Sequence, residues 1–286
     1  MDVRQLVPQR ALTHAGIFHA DDVFSAALLR ILNPSVEIIR ANAVPQAFDG
    51  LVFDIGGGEF DHHSGQLRYR DNGVPFSSLG LLWERFATLL VHPDDVRIID
   101  EGLVQPIDLT DNTGRPNPLS QCVSDFNPIA STDPSAFDEA FSSAVVFAKG
   151  ILERRIASIR AEREDTDEVE RLMAQGDGLV LALPRAMRWK RTVIGSSYLF
   201  VVYPSLRGDF IIQCVPKQSG SVETVTSPPQ AWWGLSGDDL KHVSDNPHLT
   251  FCHKTGFLMA ADTMDGALAV ARELATKTTN GDGNDA

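Results

Sequence analysis

The sequence predicts an α/β protein of two domains. The chain has 286 residues, and at roughly 150 residues per domain this length corresponds to about two domains. Short apolar runs alternate with helical patterns in the first 110 residues, which is typical of a parallel sheet with covering helices. Further strand-like runs follow Gly176 and predict a second, smaller α/β unit. Hydrophobic residues make up 43% of the chain, enough for a substantial core.

Three strands and one helix are expected near the N-terminus. A helix opens at Asp21 or Asp22, continues with apolar residues at helical spacing and ends at Asn33. The last of the strands is continuously apolar, as strands of a parallel sheet covered on both faces are. The predicted strands are 11–14, 36–39 and 51–55.

The middle of the chain is predicted to be helical, and strands return after it. The stretch 137–173 becomes rich in both signs of charge, which indicates a solvated helix face and suits a connector. The other predicted elements are helices 79–90 and 94–107, strands 179–183, 198–203 and 210–215, and helices 238–243 and 264–276. The tail 278–286 has nothing to bury and is expected to be disordered. These patterns divide the chain at 1–135, 136–176, 177–277 and 278–286.

Charge and cysteine content exclude several classes of protein. The net charge of −13 argues against a non-specific nucleic-acid coat, but not against an enzyme that masks acidic side chains with cations. Cys122, Cys214 and Cys252 form no CxxC pair, which excludes a cysteine zinc cluster and fits a reducing compartment. No apolar run approaches the roughly 18 residues of a membrane span, and residues 1–10 have no apolar core. We therefore expect a cytoplasmic protein without a membrane partner.

Two clusters of candidate metal ligands follow predicted strands. The segment 13–22 begins at the carboxyl end of a strand, where open α/β sheets bind ligands. Asp21 and Asp22 in this segment are candidate ligands or, alternatively, helix N-caps. Asp54 lies in an apolar strand, where a carboxylate is costly unless something compensates it, although a turn residue is the alternative.

Two further clusters complete the set. Residues 61–63 read Asp-His-His, in which one histidine can bind a metal while its neighbour contacts substrate; a polar loop is the alternative. Residues 108–112 carry two aspartates at the expected end of a helix, where they oppose the helix dipole, and a simple turn explains them equally well. Histidine and aspartate without thiolate suit Mn²⁺, Mg²⁺ or Zn²⁺, and a carboxylate-bridged pair of ions suits phosphoester hydrolysis. The GxxxxGK(S/T) and GxSxG motifs are absent.

The arrangement of motifs resembles a known family over nearly the whole chain. The motifs are THAGIFHADD at 13–22, DIGG at 54–57, FDHH at 60–63, PFSSLGLLW at 75–83, IDLTDN at 107–112, IQCVPK at 212–217, WWGL at 232–235, FCHKTGF at 251–257 and DGAL at 265–268. In these motifs the chain resembles the melanocyte-proliferating-gene family of DHH-like metal-dependent exonucleases, within the DHH phosphoesterase superfamily.

The resemblance implies a fold and an activity. The fold is a DHH-phosphoesterase-like parallel-sheet catalytic domain and a smaller C-terminal α/β substrate-binding domain, joined by a long helix. The activity is a metal-dependent phosphodiester hydrolase, a 3′–5′ exonuclease on RNA or short oligonucleotides, with water activated by two divalent ions; Mn²⁺ is expected first, Mg²⁺ or Zn²⁺ next. A phosphoesterase acting on a small nucleotide or pyrophosphate, and a non-catalytic metal- or nucleotide-binding protein, remain alternatives. No obligate protein partner is evident.

The resemblance also assigns residues. The implied metal ligands are His14, His19, Asp21, Asp54 as the bridge, His62, and Asp108 or Asp111. His63 would face the scissile phosphate and act with Asp54 in catalysis. In the second domain the basic side chains themselves indicate a phosphate-facing patch, for which we expect Lys190, Lys217 and His253; the last two lie within matched motifs. Ala260-Ala261-Asp262 stands where relatives have Gly-Gly-His, which would weaken anion binding there.

Overall fold

Two β-sheets organise the part of the chain that this computed structural model describes, residues 7–63, 65, 67–176 and 178–280. One compact unit is Met1–Arg160 and the other is Ala161–Ala286. Each unit combines strands with helices, so the predicted α/β class is confirmed. Among the described residues we find no helix with both the length and the apolar character needed to cross a bilayer.

A three-stranded parallel sheet lies in the first unit. Its strands are β1 (Arg10–His14), β2 (Glu37–Ala41) and β3 (Leu51–Val52), in the order β2-β1-β3. Helix α1 (Ala20–Leu32) follows β1 and is buried over most of its length. Because β1 is the central strand, its carboxyl end meets those of both neighbours at one edge of the sheet.

The third strand is shorter than we predicted. We predicted a strand over 51–55, but the regular hydrogen-bonded ladder ends at Val52. Phe53 forms an isolated bridge to Phe60. Asp54 has a φ of +58°, and a residue in this left-handed region cannot continue a strand. The prediction therefore overran the strand by the residues that form the turn.

The helices of the first unit follow the sheet. They are α2 (Ser78–Phe86), α3 (Pro93–Ile99), a π-helical turn (Asp100–Val104), α4 (Gln105–Thr113), α5 (Pro118–Ser124) and the start of α6 (Pro134–Gln175). Helix α6 contains all but the last residue of the expected connector 136–176, and it contains the boundary between the units; the predicted domain limits stay predictions.

One predicted helix ends later than expected. We placed its end at Ile107, but it continues through the π-turn and α4 to Thr113, where Gly114 closes it with a φ of +70°. Pro106 has no N–H to donate to the preceding turn, and the wider π-turn just before it accommodates this loss. Asp108 therefore lies inside a helix and not at a helix end.

A buried ion network joins the helices of the first unit. Arg70 donates from Nε to Asp100 Oδ2 at 3.0 Å and from Nη2 to Asp100 Oδ1 at 2.8 Å. The same Nη2 lies 2.8 Å from Asp108 Oδ2, and the guanidinium lies 4.0 Å from the centre of the Phe76 ring. Ser77 Oγ and the Gly80 N–H both donate to Asp108 Oδ1. Asp108 thus fixes α2 against α4.

The second unit has a mixed five-stranded sheet in the order β4-β5-β6-β8-β7. Its elements are β4 (Val180–Ala182), α7 (Lys190–Val193), β5 (Phe200–Pro204), β6 (Phe210–Cys214), α8 (Gly237–Ser244), β7 (Leu249–Cys252), β8 (Leu258–Ala261) and α9 (Met264–Thr279). β4 and β5 are parallel, and the other neighbours are antiparallel.

Two features of this unit differ from the prediction. The hairpin β7–β8 was not predicted, because each strand has only four residues and the alternation of apolar residues is weak. The expected disorder from Thr278 begins too early: α9 includes Thr278, whose Oγ1 donates to Leu274 O and lies 2.9 Å from Thr226 Oγ1. Residues 281–286 of the predicted tail lie outside the described residues.

The Arg70 network makes a stability prediction. Arg70→Leu leaves the fully buried Asp108 carboxylate without its cation, so the free energy of unfolding should fall by about 3–5 kcal/mol. Arg68→Leu is the matched control, since Arg68 pairs with Glu84 at the exposed surface, where an ion pair contributes less than about 1 kcal/mol. Urea denaturation of both variants checks this; equal losses would contradict the assignment.

Candidate metal centre

The carboxyl ends of the parallel strands bring the candidate ligands together. His14 ends β1, and Asp54 follows β3. Because Leu12 pairs with Val52, the two side chains each stand two residues beyond a paired position. Three other segments bring side chains to the same place. The start of α1 contributes His19, Asp21 and Asp22, the loop after β3 contributes His62 and His63, and α4 contributes Asp111.

Asp54 lies between two histidines. Its Oδ2 is 3.3 Å from His14 Nε2, and its Oδ1 is 3.2 Å from His62 Nε2. The residue is only 3% exposed. Its N–H donates to Phe60 O at 3.0 Å, which holds the turn that carries it. Each carboxylate oxygen therefore faces a different imidazole.

The hydrogen bonds of His14 and His62 define which nitrogen of each ring has a lone pair that can bind a metal ion. His14 Nδ1 lies 3.1 Å from Ala15 O, and a carbonyl only accepts, so Nδ1 donates. His62 Nδ1 lies 3.3 Å from Asn112 Oδ1. The Asn112 amide is oriented by Nδ2, which donates to Phe76 O and Asp108 O. In the neutral rings both Nε2 atoms are therefore acceptors turned toward carboxylates.

Further carboxylates surround these atoms. His14 Nε2 lies 3.2 Å from Asp22 Oδ2, and His62 Nε2 lies 3.2 Å from Asp111 Oδ2. Asp21 and Asp22 are fully buried. In the part of the chain that the structure describes, three sets of side chains have ligand atoms within 4.8 Å of one another: Asp54, His62 and His63; His14, Asp22 and Asp54; and His19, Asp21 and Asp111.

Several of these atoms are buried without a hydrogen-bond partner among the described residues: Asp21 Oδ1, Asp22 Oδ2, Asp54 Oδ1 and His62 Nε2. A buried carboxylate that is not compensated is strongly unfavourable. Acceptor atoms that face one another need a cation or a proton between them. Because the donors are carboxylate oxygens and imidazole nitrogens, the residues fit hard or borderline divalent ions.

The pKa values show where protons sit when no cation is considered. Burial opposes the charged form of His14, but the Asp22 and Asp54 carboxylates outweigh it and raise its pKa to about 10. Burial raises the pKa of Asp21, and the negative charges of Asp54 and Asp111 raise it further. Burial also works against the charge of Asp54, yet His14 and His62 lower its pKa to about 2. The proton on His14 thus supplies part of the compensation that a cation would provide, and the raised pKa of Asp21 acts in the same direction.

A second row of side chains positions the cluster. Ser78 Oγ donates to Asp21 Oδ2 at 2.9 Å and lies 3.1 Å from Ser25 Oγ. Ser78 begins α2, the helix that Asp108 anchors. A Cβ at Gly80 would overlap the Asp108 carboxylate, so glycine is required for this close approach. The glycine in the motif at 75–83 therefore serves packing beneath the cluster.

The structure separates the two alternatives at 108–112. Asp111 contributes to the cluster, whereas Asp108 is bound by Arg70, Ser77 and the Gly80 N–H. Burial raises the pKa of Asp108 to about 7, although Arg70 lowers it. The π-turn at Asp100–Val104 rotates the following residues about the helix axis relative to a regular α-helix. The sequence pattern did not reveal this turn, so it did not show which aspartate faces the cluster.

The sequence left two interpretations of Asp21 and Asp22 open, a metal ligand and a helix N-cap. Neither Asp21 nor Asp22 is the N-cap of α1, because His19 occupies that position. Asp22 Oδ1 accepts from the His19 N–H at 2.9 Å, and its other oxygen faces His14. Paired acidic residues at the start of the helix that follows β1 were the signal that pointed to it.

The predicted substrate residues lie in the second unit. Lys190 begins α7. Lys217 Nζ pairs with the exposed Glu223 at 3.1 Å. The His253 ring packs edge-on against Phe257 with 4.5 Å between ring centres. Asp262 lies 2.9 Å from His248 Nδ1. A role of the first three residues in substrate binding stays a prediction.

Comparison with known proteins gives a family and several relatives. The model of the MYG1 exonuclease family, described as Uncharacterised protein family (UPF0160), matches residues 10–274. The chain is 28% identical over 322 residues to the MYG1 exonuclease of Homo sapiens, which covers 93% of this chain and 86% of the relative. It is 28% identical over 281 residues to the MYG1 protein of Chlamydia muridarum, covering 91% and 94%. No solved structure shows a significant match.

The raised pKa of His14 predicts proton release on metal binding. The metal-free protein carries a proton on His14 at neutral pH because its pKa is raised to about 10. A divalent ion needs the neutral ring, so Mn²⁺ binding at neutral pH should release about one proton from this residue. The apparent affinity should therefore rise as the pH is raised toward 10 and fall as it is lowered. Calorimetry in two buffers of different ionisation enthalpy measures the release; identical heats would contradict it.

The hydrogen bond from His62 to Asn112 makes a second prediction. Asn112→Ala removes the acceptor that orients His62, and loss of such a partner lowers metal affinity about 10–100-fold. Thr113→Ala on the same helix is the control. Thr113 Oγ1 donates to Leu109 O and accepts from the Arg115 N–H, and Thr113 is not one of the clustered residues. Mn²⁺ titration of both variants decides: equal affinities would show that Asn112 does not position His62.

Proposed function

The chain belongs to the MYG1 exonuclease family, and from this membership and the metal centre we propose that it is a metal-dependent phosphodiester hydrolase. The finer proposal is a 3′–5′ exonuclease acting on RNA or short oligonucleotides. The observation that carries it is Asp54, a buried carboxylate whose two oxygens face His14 and His62. The name of the mammalian relatives, MYG1 exonuclease, supports the same class of reaction.

The donor atoms suggest how two divalent ions would be held. His14, Asp22 and Asp54 form one set, and His19, Asp21 and Asp111 form another. Asp54 and His62 belong to a further set whose third member, His63, we assign to the substrate and not to a cation. Bound divalent ions, for which we expect Mn²⁺, would lower the pKa of a water and stabilise the charge that develops on phosphoryl oxygens. Asp54 would keep both histidines in register, since each of its oxygens faces one of them.

His63 is suited to contact the substrate. Its ring is largely exposed, and Asp61 Oδ1 lies 3.0 Å from Nδ1. The His63 N–H donates to the same oxygen at 2.9 Å, so Asp61 fixes both backbone and ring. Because the Asp61 carboxylate accepts from Nδ1, Nε2 of the neutral ring is an acceptor, and it can donate a hydrogen bond to a phosphoryl or leaving oxygen when the ring carries a second proton.

The charge of the site supports a role for metal ions in the proposed reaction. The described cluster combines four aspartates, Asp21, Asp22, Asp54 and Asp111, with histidines. A phosphodiester is an anion and is repelled by carboxylates that are not neutralised. Cations in the cluster would reverse the local sign and attract the substrate despite the net charge of −13.

We also propose the DHH-phosphoesterase architecture for the chain. The first unit would be the catalytic domain, and the second would contact substrate phosphates through Lys190, Lys217 and His253. A phosphoesterase acting on a small nucleotide is the second candidate, because the metal centre borders a cavity of about 640 Å³, the size of a single small ligand.

Hydrolysis of a short RNA tests the proposal. With Mn²⁺ and a 5′-labelled RNA, the protein should produce a ladder that shortens by one nucleotide at a time. His63→Ala should slow this reaction about 10²–10³-fold while retaining Mn²⁺. His62→Ala and Asp54→Asn should lose both metal and activity, because they remove ligand atoms.

The control is Arg68→Leu, an exposed position outside the cluster, which should keep full activity. The proposal is wrong if a His62→Ala, His63→Ala double variant degrades the RNA as fast as wild type. Hydrolysis of mononucleotides or pyrophosphate without any RNA ladder would establish the second candidate instead. Tight Mn²⁺ binding with no turnover of any of these esters would identify a metal-binding protein.

A further inference from the structure

A cavity of about 640 Å³ adjoins the metal centre within the first unit. Four side chains of the centre form one side of it: His19, His62, His63 and Asp111. The other walls come from the end of α4, the turn at Gly114 and helix α5. A substrate whose phosphate sits on the metal centre would therefore place its neighbouring group in this cavity.

The chemistry of the walls is that of an uncharged polar ligand. No lysine or arginine is among the described residues that line the cavity. Apolar surface is supplied by Ala20, Leu67 and Ile107, and amide and hydroxyl groups by Asn112, Asn117, Ser120, Gln121 and Ser124. A second phosphate would find no cationic side chain there and would face Asp111. An apolar ring with polar edges matches both kinds of wall.

One wall residue has an unused hydrogen-bonding group. Ser120 Oγ is buried and has no hydrogen-bond partner among the described residues. Beside it, Asn117 Oδ1 accepts from the Leu119 N–H at 2.9 Å, which fixes the amide and leaves Nδ2 as a donor. Because the Ser120 oxygen has almost no accessible surface, Ser120 shapes the wall, and the Asn117 amide offers the hydrogen-bonding group to a ligand.

We propose that this cavity holds the sugar and base of the nucleoside attached to the scissile phosphate. The inference rests on the proposed function, because the phosphate must sit on the metal centre. It predicts that the protein selects esters with a nucleoside on the reacting phosphate over esters without one. Shape and hydrogen bonds from α5, and not positive charge, would provide the selection.

Two substrates with one leaving group test the proposal. One is a nucleoside 5′-(p-nitrophenyl) phosphate and the other is methyl p-nitrophenyl phosphate, both with Mn²⁺. Wild type should prefer the nucleoside ester in kcat/KM by about tenfold or more. Ser120→Leu, which fills the cavity, and Gln121→Ala, at an exposed position of α5, should reduce this preference through KM. Cys122→Ser is the control, since Cys122 is exposed on the same helix and does not line the cavity.

A binding measurement separates this inference from the proposed function. Adenosine, which has no phosphate, should bind the metal-free protein weakly in saturation-transfer NMR, and Ser120→Leu should abolish the signal. If both esters are hydrolysed with equal efficiency and adenosine does not bind, the cavity proposal is overturned while the hydrolase remains. If neither ester is hydrolysed, the proposed function fails. Adenosine binding that Ser120→Leu abolishes would then still support the cavity as a nucleoside site, and no binding would overturn it.

Discussion

The buried carboxylate of Asp54 is the constraint around which the first unit is built. A charge at this depth is stable only if opposite charges or donors surround it, and two imidazoles meet its two oxygens. The parallel pairing of β1 and β3 places His14 and Asp54 side by side. The left-handed backbone at Asp54 then turns the chain so that the loop returns with His62. Strained backbone of this kind is common at functional sites.

The surrounding polar network determines how rigid that arrangement is. Ser78 holds Asp21, and Asn112 holds His62. Both supports depend on packing of α2 against α4, which Asp108 secures through Ser77 and the Gly80 N–H. Arg70 in turn neutralises Asp108. A residue remote from the cluster therefore contributes to its geometry, since second-row partners orient metal ligands.

Local pattern was sufficient to predict most of the elements and the composition of the site. Helix α1, the long helix α6 and strands β1, β5 and β6 follow from periodicity, because each buries one clear face or run. The short strands β7 and β8 did not, because four residues carry little periodicity and pairing decides such strands. The choice between Asp108 and Asp111 also escaped the sequence, because a π-turn changes which side of a helix each residue occupies.

By itself the sequence determined the α/β class, and it predicted an acidic, histidine-containing candidate metal site. These properties depend on residue types and on short-range spacing, which are readable along the chain. Only the tertiary structure decided that Asp22 faces His14, that Asp108 is a buried anchor and that the site adjoins a cavity with no lysine or arginine among its described lining residues. Such features arise where segments far apart in the chain meet, and their geometry depends on sheet register and helix phase.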